Sequence, residues 1–237
     1  MNSAIIVAAG KGTRMGLPQS GMDKLFLEVA GRPVVAHTWQ RFHDAPEIDE
    51  IVIVVRDGMQ AAFAELAAQF NLRKPHRFVV GGAERQDSVA NGLAALSPAA
   101  EIVAIQDGAR PCTSAALIAA SIAAARETGA AVAAQAVTDT IKESADGRLI
   151  SRTVDRAKLW AVQTPQTFRV EIIRRALAEV RRQGLRVTDD TAACELIGQL
   201  VRLVTDPAPN PKVTVPADLP YVASLLASLS ALRCPAG

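Results

Sequence analysis

The chain has 237 residues, 49% of them hydrophobic, and its 26 basic side chains nearly balance its 24 acidic ones. That length and apolar content can bury a full core without metals or disulfides. The charges are spread along the chain rather than gathered in a tail, which excludes a nucleic-acid partner as the natural reading. Cys112, Cys194 and Cys234 are too few and too far apart for a disulfide framework or a zinc cluster. No basic region precedes the first apolar run, and the longest apolar stretches are interrupted well short of a bilayer span. The expectation is a cytoplasmic protein with no membrane partner.

Taken in chain order, short β-branched runs alternate with longer amphipathic stretches. This is the pattern of βαβ units around a mainly parallel sheet in one α/β domain spanning 1–237. Strands are expected at Ala4 to Ala8, Glu50 to Val55, Arg77 to Val80, Ile102 to Gln106, Ala131 to Ala136, Ala161 to Gln163 and Leu200 to Val204. Helical spacing of apolar residues marks Pro33 to Phe42, Met59 to Phe70, Gln86 to Leu96, Ser114 to Thr128, Val170 to Gln183 and Asp190 to Ile197. A last helix follows Pro216, a favourable first-turn proline. No internal repeat or low-complexity linker divides the chain.

The segment 138–156, "TDTIKESADGRLISRTVDR", departs from this rhythm. Two polar strand-like pieces flank Asp146-Gly147, a dipeptide suited to a tight hairpin turn. A hairpin with so few apolar residues must lean on its own domain or on a second copy of the chain, and the reading favoured is a β-arm that helps to form a homodimer.

Chemistry concentrates where strands end. "IIVAAGKGTRMG" runs from a strand into a glycine-rich basic loop. The phosphate-loop order is absent, because Ile5 stands where the first glycine belongs. A dinucleotide fingerprint also fails, since Met15 holds the third glycine position and Gly16 comes one residue late. What remains are the small residues Ala8 and Ala9, glycines that let backbone N–H groups approach an anion, and the cations Lys11 and Arg14. A plain glycine turn is the alternative, but the composition suits a nucleoside triphosphate. In "GGAERQDSVANGL", the backbone at Gly81 and Gly82 and the hydroxyl of Ser88 can read a base edge, or Asp87 and Ser88 simply cap a helix. In "IQDGARP", Asp107 stands just past a strand, where a carboxylate can hold a ribose hydroxyl or Mg²⁺ and Arg110 can pair with phosphate; a surface Asp–Arg pair is the alternative.

The pieces "AAGKGTRMG", "GGAERQDSV", "DGARP", "VTDTIK", "RTVDRAKLWAVQTPQTF", "TDD" and "NPKVTVPADL" follow one another over nearly the whole chain. Together they closely resemble the 2-C-methyl-D-erythritol 4-phosphate cytidylyltransferase family of the non-mevalonate isoprenoid pathway. Ribitol-5-phosphate cytidylyltransferases share the loop and "QTPQ", whereas the "TVDR..LW" portion looks more like the methylerythritol enzymes. A module that binds CTP without turnover is a further alternative, against which Arg14, Lys24, Arg156 and Lys212 speak.

The resemblance implies a modified Rossmann-like fold, a homodimer with exchanged β-arms, CTP as co-substrate and Mg²⁺. It implies attack by the substrate's phosphate oxygen on the α-phosphorus of CTP, with pyrophosphate leaving. Catalysis of such a step is positioning and charge neutralisation, each well-placed donor contributing about 3 kcal/mol. Arg14 and Lys24 are implied at the α-phosphate, and Ala8, Ala9, Gly10, Gly12 and Thr13 around the triphosphate. Gly81, Gly82, Asp87 and Ser88 are implied at the cytosine. Asp107 takes the ribose or the metal, with Ala109 beside it. Thr140 and Arg156 on the arm, with Lys212, Thr164 and Arg110, are implied at the sugar phosphate. A phosphate nucleophile needs no general base, consistent with His37, His43 and His76 lying on ordinary helix or loop surfaces. Two departures stand out: an apparent insertion before Asp23-Lys24-Leu25, and a proline-rich approach, "TDPAPNPKV", to Lys212.

Overall fold

A computed structural model of the chain describes residues 1–10 and 24–231, the side chains of 230 and 231 excepted. The expected contributions of Lys11, Gly12, Thr13, Arg14 and Asp23, and the thiol of Cys234, lie outside the described residues.

The strands of the main sheet are β1 (Asn2–Ala8), β4 (Glu50–Val55), β5 (His76–Val80), β6 (Ile102–Asp107), β7 (Ala130–Ala136), β10 (Trp160–Arg169) and β11 (Arg202–Val204), while β2 (Glu28–Val29) pairs with β3 (Arg32–Pro33) and β8 (Lys142–Glu143) with β9 (Arg152–Thr153). The helices are α1 (Val34–Asp44), α2 (Gln60–Gln69), α3 (Arg85–Ala94), α4 (Ala115–Thr128), α5 (Val170–Arg182), α6 (Asp190–Glu195) and α7 (Asp218–Ala231). The seven-stranded sheet runs β11-β7-β10-β6-β1-β4-β5, parallel except for β10, which is antiparallel to both β6 and β7. The mainly parallel α/β sheet is therefore present as expected.

Burial explains the central strands. Every residue of β4, "EIVIVV", is buried; after Glu50 it is a continuous β-branched run, as helices covering both faces of the sheet require. Alternation then sorts side chains between two cores: Ala4 and Ile6 of β1 face Trp39 and Phe42 of α1, while Ile5 packs with Val89 of α3. Helix α5 buries Val170, Ile173, Ala176, Leu177 and Val180, a single helical stripe. Helix α4 starts at Ser114, which caps it by accepting from Leu117 N at 2.9 Å, and stops at left-handed Gly129.

The chain order places the site. From β1 it runs outward to β4 and β5, then returns to β6 on the other side of β1. Ligands bind beyond the strand ends at such a reversal. Antiparallel β10 begins at the same end of β6, pairing Gln166 with Ile105, so the segment 138–156 emerges there. The segment after β11 leaves that end too, because β11 is parallel to β7.

Several expected boundaries shift. The short strand at Ala161 to Gln163 is only the start of ten-residue β10, whose pairing with β7 is irregular between Val162 and Gln166, around Pro165. A proline that cannot donate to the ladder hid the continuation. In the arm, β8 and β9 pair through Glu143 and Arg152, so Asp146-Gly147 sits in a longer loop rather than a two-residue turn. There Asp146 accepts from the backbone of Arg148 and Leu149 at 2.8 and 2.9 Å, and Gly147 takes a positive φ. Contrary to expectation, His76 begins β5, its ring 5.0 Å from that of Trp39. His37 and His43 do lie on a helix; His37 Nε2 is 2.7 Å from the Val29 carbonyl.

Candidate active site

Asp107 ends β6 and projects into a cavity of about 390 Å³ that also touches Gly10, Lys24, Gly82, Ser88 and Lys212. Its Oδ2 lies 2.7 Å from Lys212 Nζ and 3.6 Å from Arg110 Nε, and its Oδ1 lies 3.7 Å from Arg85 Nε. Burial works to raise the Asp107 carboxyl pKa, but Lys212, Arg85 and Arg110 outweigh it and hold the group below its ordinary value. The acid is therefore an anion at neutral pH, surrounded by cations from three separate segments.

The floor beneath it is a polar network. The Asp107 N–H donates to Thr164 Oγ1 at 3.1 Å. Buried Asn210 donates through Nδ2 to the Thr164 carbonyl at 2.8 Å, accepts from Thr113 Oγ1 at 3.0 Å, and offers its own carbonyl to Arg110 Nη1 at 2.7 Å. Val213 N donates to the Ala109 carbonyl at 2.9 Å, and Lys24 Nζ donates to the Val213 carbonyl at 3.4 Å. These bonds tie the segment carrying Lys212 to the turn after β6.

The opposite wall is the start of α3. A side chain on Gly81 would collide with the Ala9 methyl and come within 2.8 Å of Ser88 Oγ, so only glycine lets the two strand ends close up. Ser88 Oγ accepts from Gly82 N at 3.1 Å and donates to the Glu84 carbonyl at 3.2 Å. Asp87 and Glu84 form a reciprocal capping box. At the rim, Arg186 Nη2 pairs with Glu84 Oε2 at 2.6 Å. Arg85, also at the cavity, donates from Nη1 to Asp190 Oδ2 at 2.8 Å. Asp190 is almost fully buried, and burial pushes its carboxyl up against the pull of Arg85. At Arg85, which keeps some exposure, burial is instead outweighed by Asp190 and Asp107, and its pKa is raised.

A profile of the 2-C-methyl-D-erythritol 4-phosphate cytidylyltransferase family matches residues 2–228. The chain belongs to that family. A cytidylyltransferase of that name from Geobacillus kaustophilus is 41% identical over 225 residues, 95% of this chain and 96% of the relative. One from Trichormus variabilis is 42% identical over 224 residues, covering 94% and 97%. Among solved structures, the 4-diphosphocytidyl-2C-methyl-D-erythritol synthase of Anaerococcus prevotii superposes with a TM-score of 0.82 at 30% identity, covering 96% of this chain and 98% of its own. Membership makes the chain a nucleotidyltransferase.

For this cytidylyltransferase, the described site residues divide into those at the cavity and those behind or away from it. Ala9, Gly10, Lys24, Gly82, Ser88, Asp107, Ala109 and Lys212 line the cavity. Ala8 and Gly81 lie behind them as packing. Thr164 and Arg110 sit in the floor, and Asp87 serves the α3 cap. Thr140 and Arg156 are exposed and do not line this cavity; Arg156 donates to the Thr138 carbonyl. Arg85, Arg186 and Asp190 were not singled out from the sequence. A charged first turn on α3 reads as a solvated helix start, and Asp190, the partner of Arg85, stands 105 residues further along the chain.

Proposed function

We propose that the chain transfers the cytidylyl group of CTP to 2-C-methyl-D-erythritol 4-phosphate. A phosphate oxygen of the acceptor forms a bond to the α-phosphorus, the bond from that phosphorus to the bridging oxygen breaks, and pyrophosphate leaves with the electron pair. The observation that carries this reading is the convergence of Lys24, Lys212 and Asp107 on one cavity beside Gly10 at the sheet's reversal point. Two anions must meet there, so fixed cations lower the barrier by offsetting their repulsion. Arg14 is assigned the same task as Lys24. The acceptor phosphate already carries its negative charge, so no general base is needed.

Cytosine is read at Gly82 and Ser88, where a backbone carbonyl accepting from the exocyclic amine disfavours uracil. Asp107 takes the ribose or the metal. Asp107 would be the residue to hold Mg²⁺, an ion that commonly takes only one or two protein carboxylates at such sites. Among the described residues there is no cluster of three or more His, Cys, Asp or Glu that makes an all-protein cage. Bound Mg²⁺ supplies charge neutralisation at the phosphates.

The active unit is a homodimer in which 138–156 of one copy reaches the cavity of the other. Leu149 and Ile150 at the arm's tip are 74% and 66% exposed, apolar surface that a partner would cover. Thr140 and Arg156 then meet the acceptor phosphate in trans. The setting is cytoplasmic, in keeping with the free thiols of Cys112 and Cys194. The test is product formation. CTP, the methylerythritol phosphate and Mg²⁺ should give a cytidine-diphosphate-linked polyol by mass spectrometry; CTP returned unchanged would refute the reading.

A further inference from the structure

Arg85 opens α3 and reaches two carboxylates carried by different elements. Nη1 lies 2.8 Å from Asp190 Oδ2, and Nε lies 3.7 Å from Asp107 Oδ1. Behind Arg85 the support is a chain of hydrogen bonds. Asp190 is 1% exposed, its N–H donates to Gln166 Oε1 at 3.0 Å, and Gln166 Nε2 donates to Asp189 Oδ2 at 2.9 Å. Asp189 in turn caps α6 by accepting from Ala192 N at 3.0 Å. The continuous path is β10, the start of α6, Arg85, then Asp107.

We propose that Arg85 is a positioning residue for Asp107: anchored from behind by Asp190, its guanidinium keeps the Asp107 carboxylate aimed at the ribose or metal of bound CTP. This rests on the cytidylyl-transfer reading and deepens it. Lys212 holds the other oxygen of the same carboxylate at 2.7 Å, yet it must also serve an incoming phosphate. Arg110 Nε lies 3.6 Å from that same oxygen, so the contacts of both these cations are to Oδ2 and leave Oδ1 to Arg85. The planar fork of arginine suits the task, because separate nitrogens address the two carboxylates at a fixed angle; a lysine offers one point charge. Asp190 does not line the cavity, so its influence on the reaction passes through Arg85.

The test is a double-mutant cycle, with Arg85→Gln made in the native sequence and in Asp107→Asn. In the native sequence, kcat/KM for CTP should fall at least about tenfold. In Asp107→Asn the same change should cost less than about twofold, since the group to be positioned is no longer a carboxylate. Asp190→Asn, nearly the same shape, should show the same dependence on Asp107. Melting temperatures accompany each variant, and if Arg85→Gln does not melt cooperatively the Asp190→Asn pair decides. Equal losses in both backgrounds would mean Arg85 only supports the fold, and would overturn the proposal. Calorimetric CTP affinities follow the same criterion without turnover, so inactivity of the unsubstituted enzyme would count against the reaction and leave the positioning result readable.

Discussion

Lys212 Nζ lies 2.7 Å from Asp107 Oδ2, joining the segment after β11 to the end of β6 across the cavity floor. A cation assigned to one substrate thus rests on the carboxylate assigned to the other. Lys212→Ala should reduce turnover by about a hundredfold, as expected for one well-placed donor to a phosphoryl transition state. Steady-state kinetics check this; unchanged turnover would remove Lys212 from the site.

Asp107 gives a pH signature. Burial favours its neutral form, but Lys212, Arg85 and Arg110 outweigh burial and depress its pKa in the folded state. Its contribution to stability is therefore complete above the ordinary carboxyl pKa and is lost as pH falls through the lower folded value. The native chain should exceed Asp107→Asn by about 3 kcal/mol near neutrality, because the variant takes the carboxylate away from Lys212, from Arg85 and from buried Arg110. That gap should narrow below a pH of about 4. Denaturant titrations across the acid range measure it, and a gap independent of pH would contradict the electrostatic account.

Gly81 tests the wall. Its missing Cβ would meet Ala9 and Ser88 Oγ, which join the end of β1 to the start of α3. Gly81→Ala should cost about 1–3 kcal/mol through overpacking and weaken CTP binding as Ser88 is pushed from Gly82 N. Thermal melting and calorimetry report the two effects, and normal CTP affinity would separate this wall from nucleotide binding.

The arm tests the assembly. Leu149 and Ile150 project from a hairpin whose paired strands are only two residues each. If the proposed arm-exchanged dimer forms, replacing both with Lys should leave a monomer in sedimentation and abolish most turnover, while single-chain melting changes little. An active monomer would show that Thr140 and Arg156 are not needed in trans.

Much of the fold was legible because burial leaves a period. The runs in β1 and β4 and the apolar stripe of α5 are imprinted by covered faces, so their type and position followed from spacing. β10 was legible only at its start, since Pro165 interrupts a strand whose next two residues, Gln166 and Thr167, are polar and yet buried. At the cavity, Gly10, Gly82 and Asp107 were visible because glycines and an acid just past strand ends stand out in a sequence, and at Gly82 the reason is room, since a Cβ there would meet Asp87. The structural duties of Arg110, Asn210 and Asp190 were not, because each depends on a partner distant in sequence. The role of Arg85 is hidden for the same reason, since its partner Asp190 is 105 residues away. Burial also explains the thiols, with Cys112 pushed up to about 11 and Cys194 to about 12, which leaves them protonated structural groups.

The most direct measurement is pyrophosphate release from CTP and Mg²⁺ with each polyol phosphate in parallel. Fast release with 2-C-methyl-D-erythritol 4-phosphate, and much slower release with ribitol 5-phosphate, is the expected result. Release no faster than with CTP alone, or faster with ribitol phosphate, would contradict the proposed reaction.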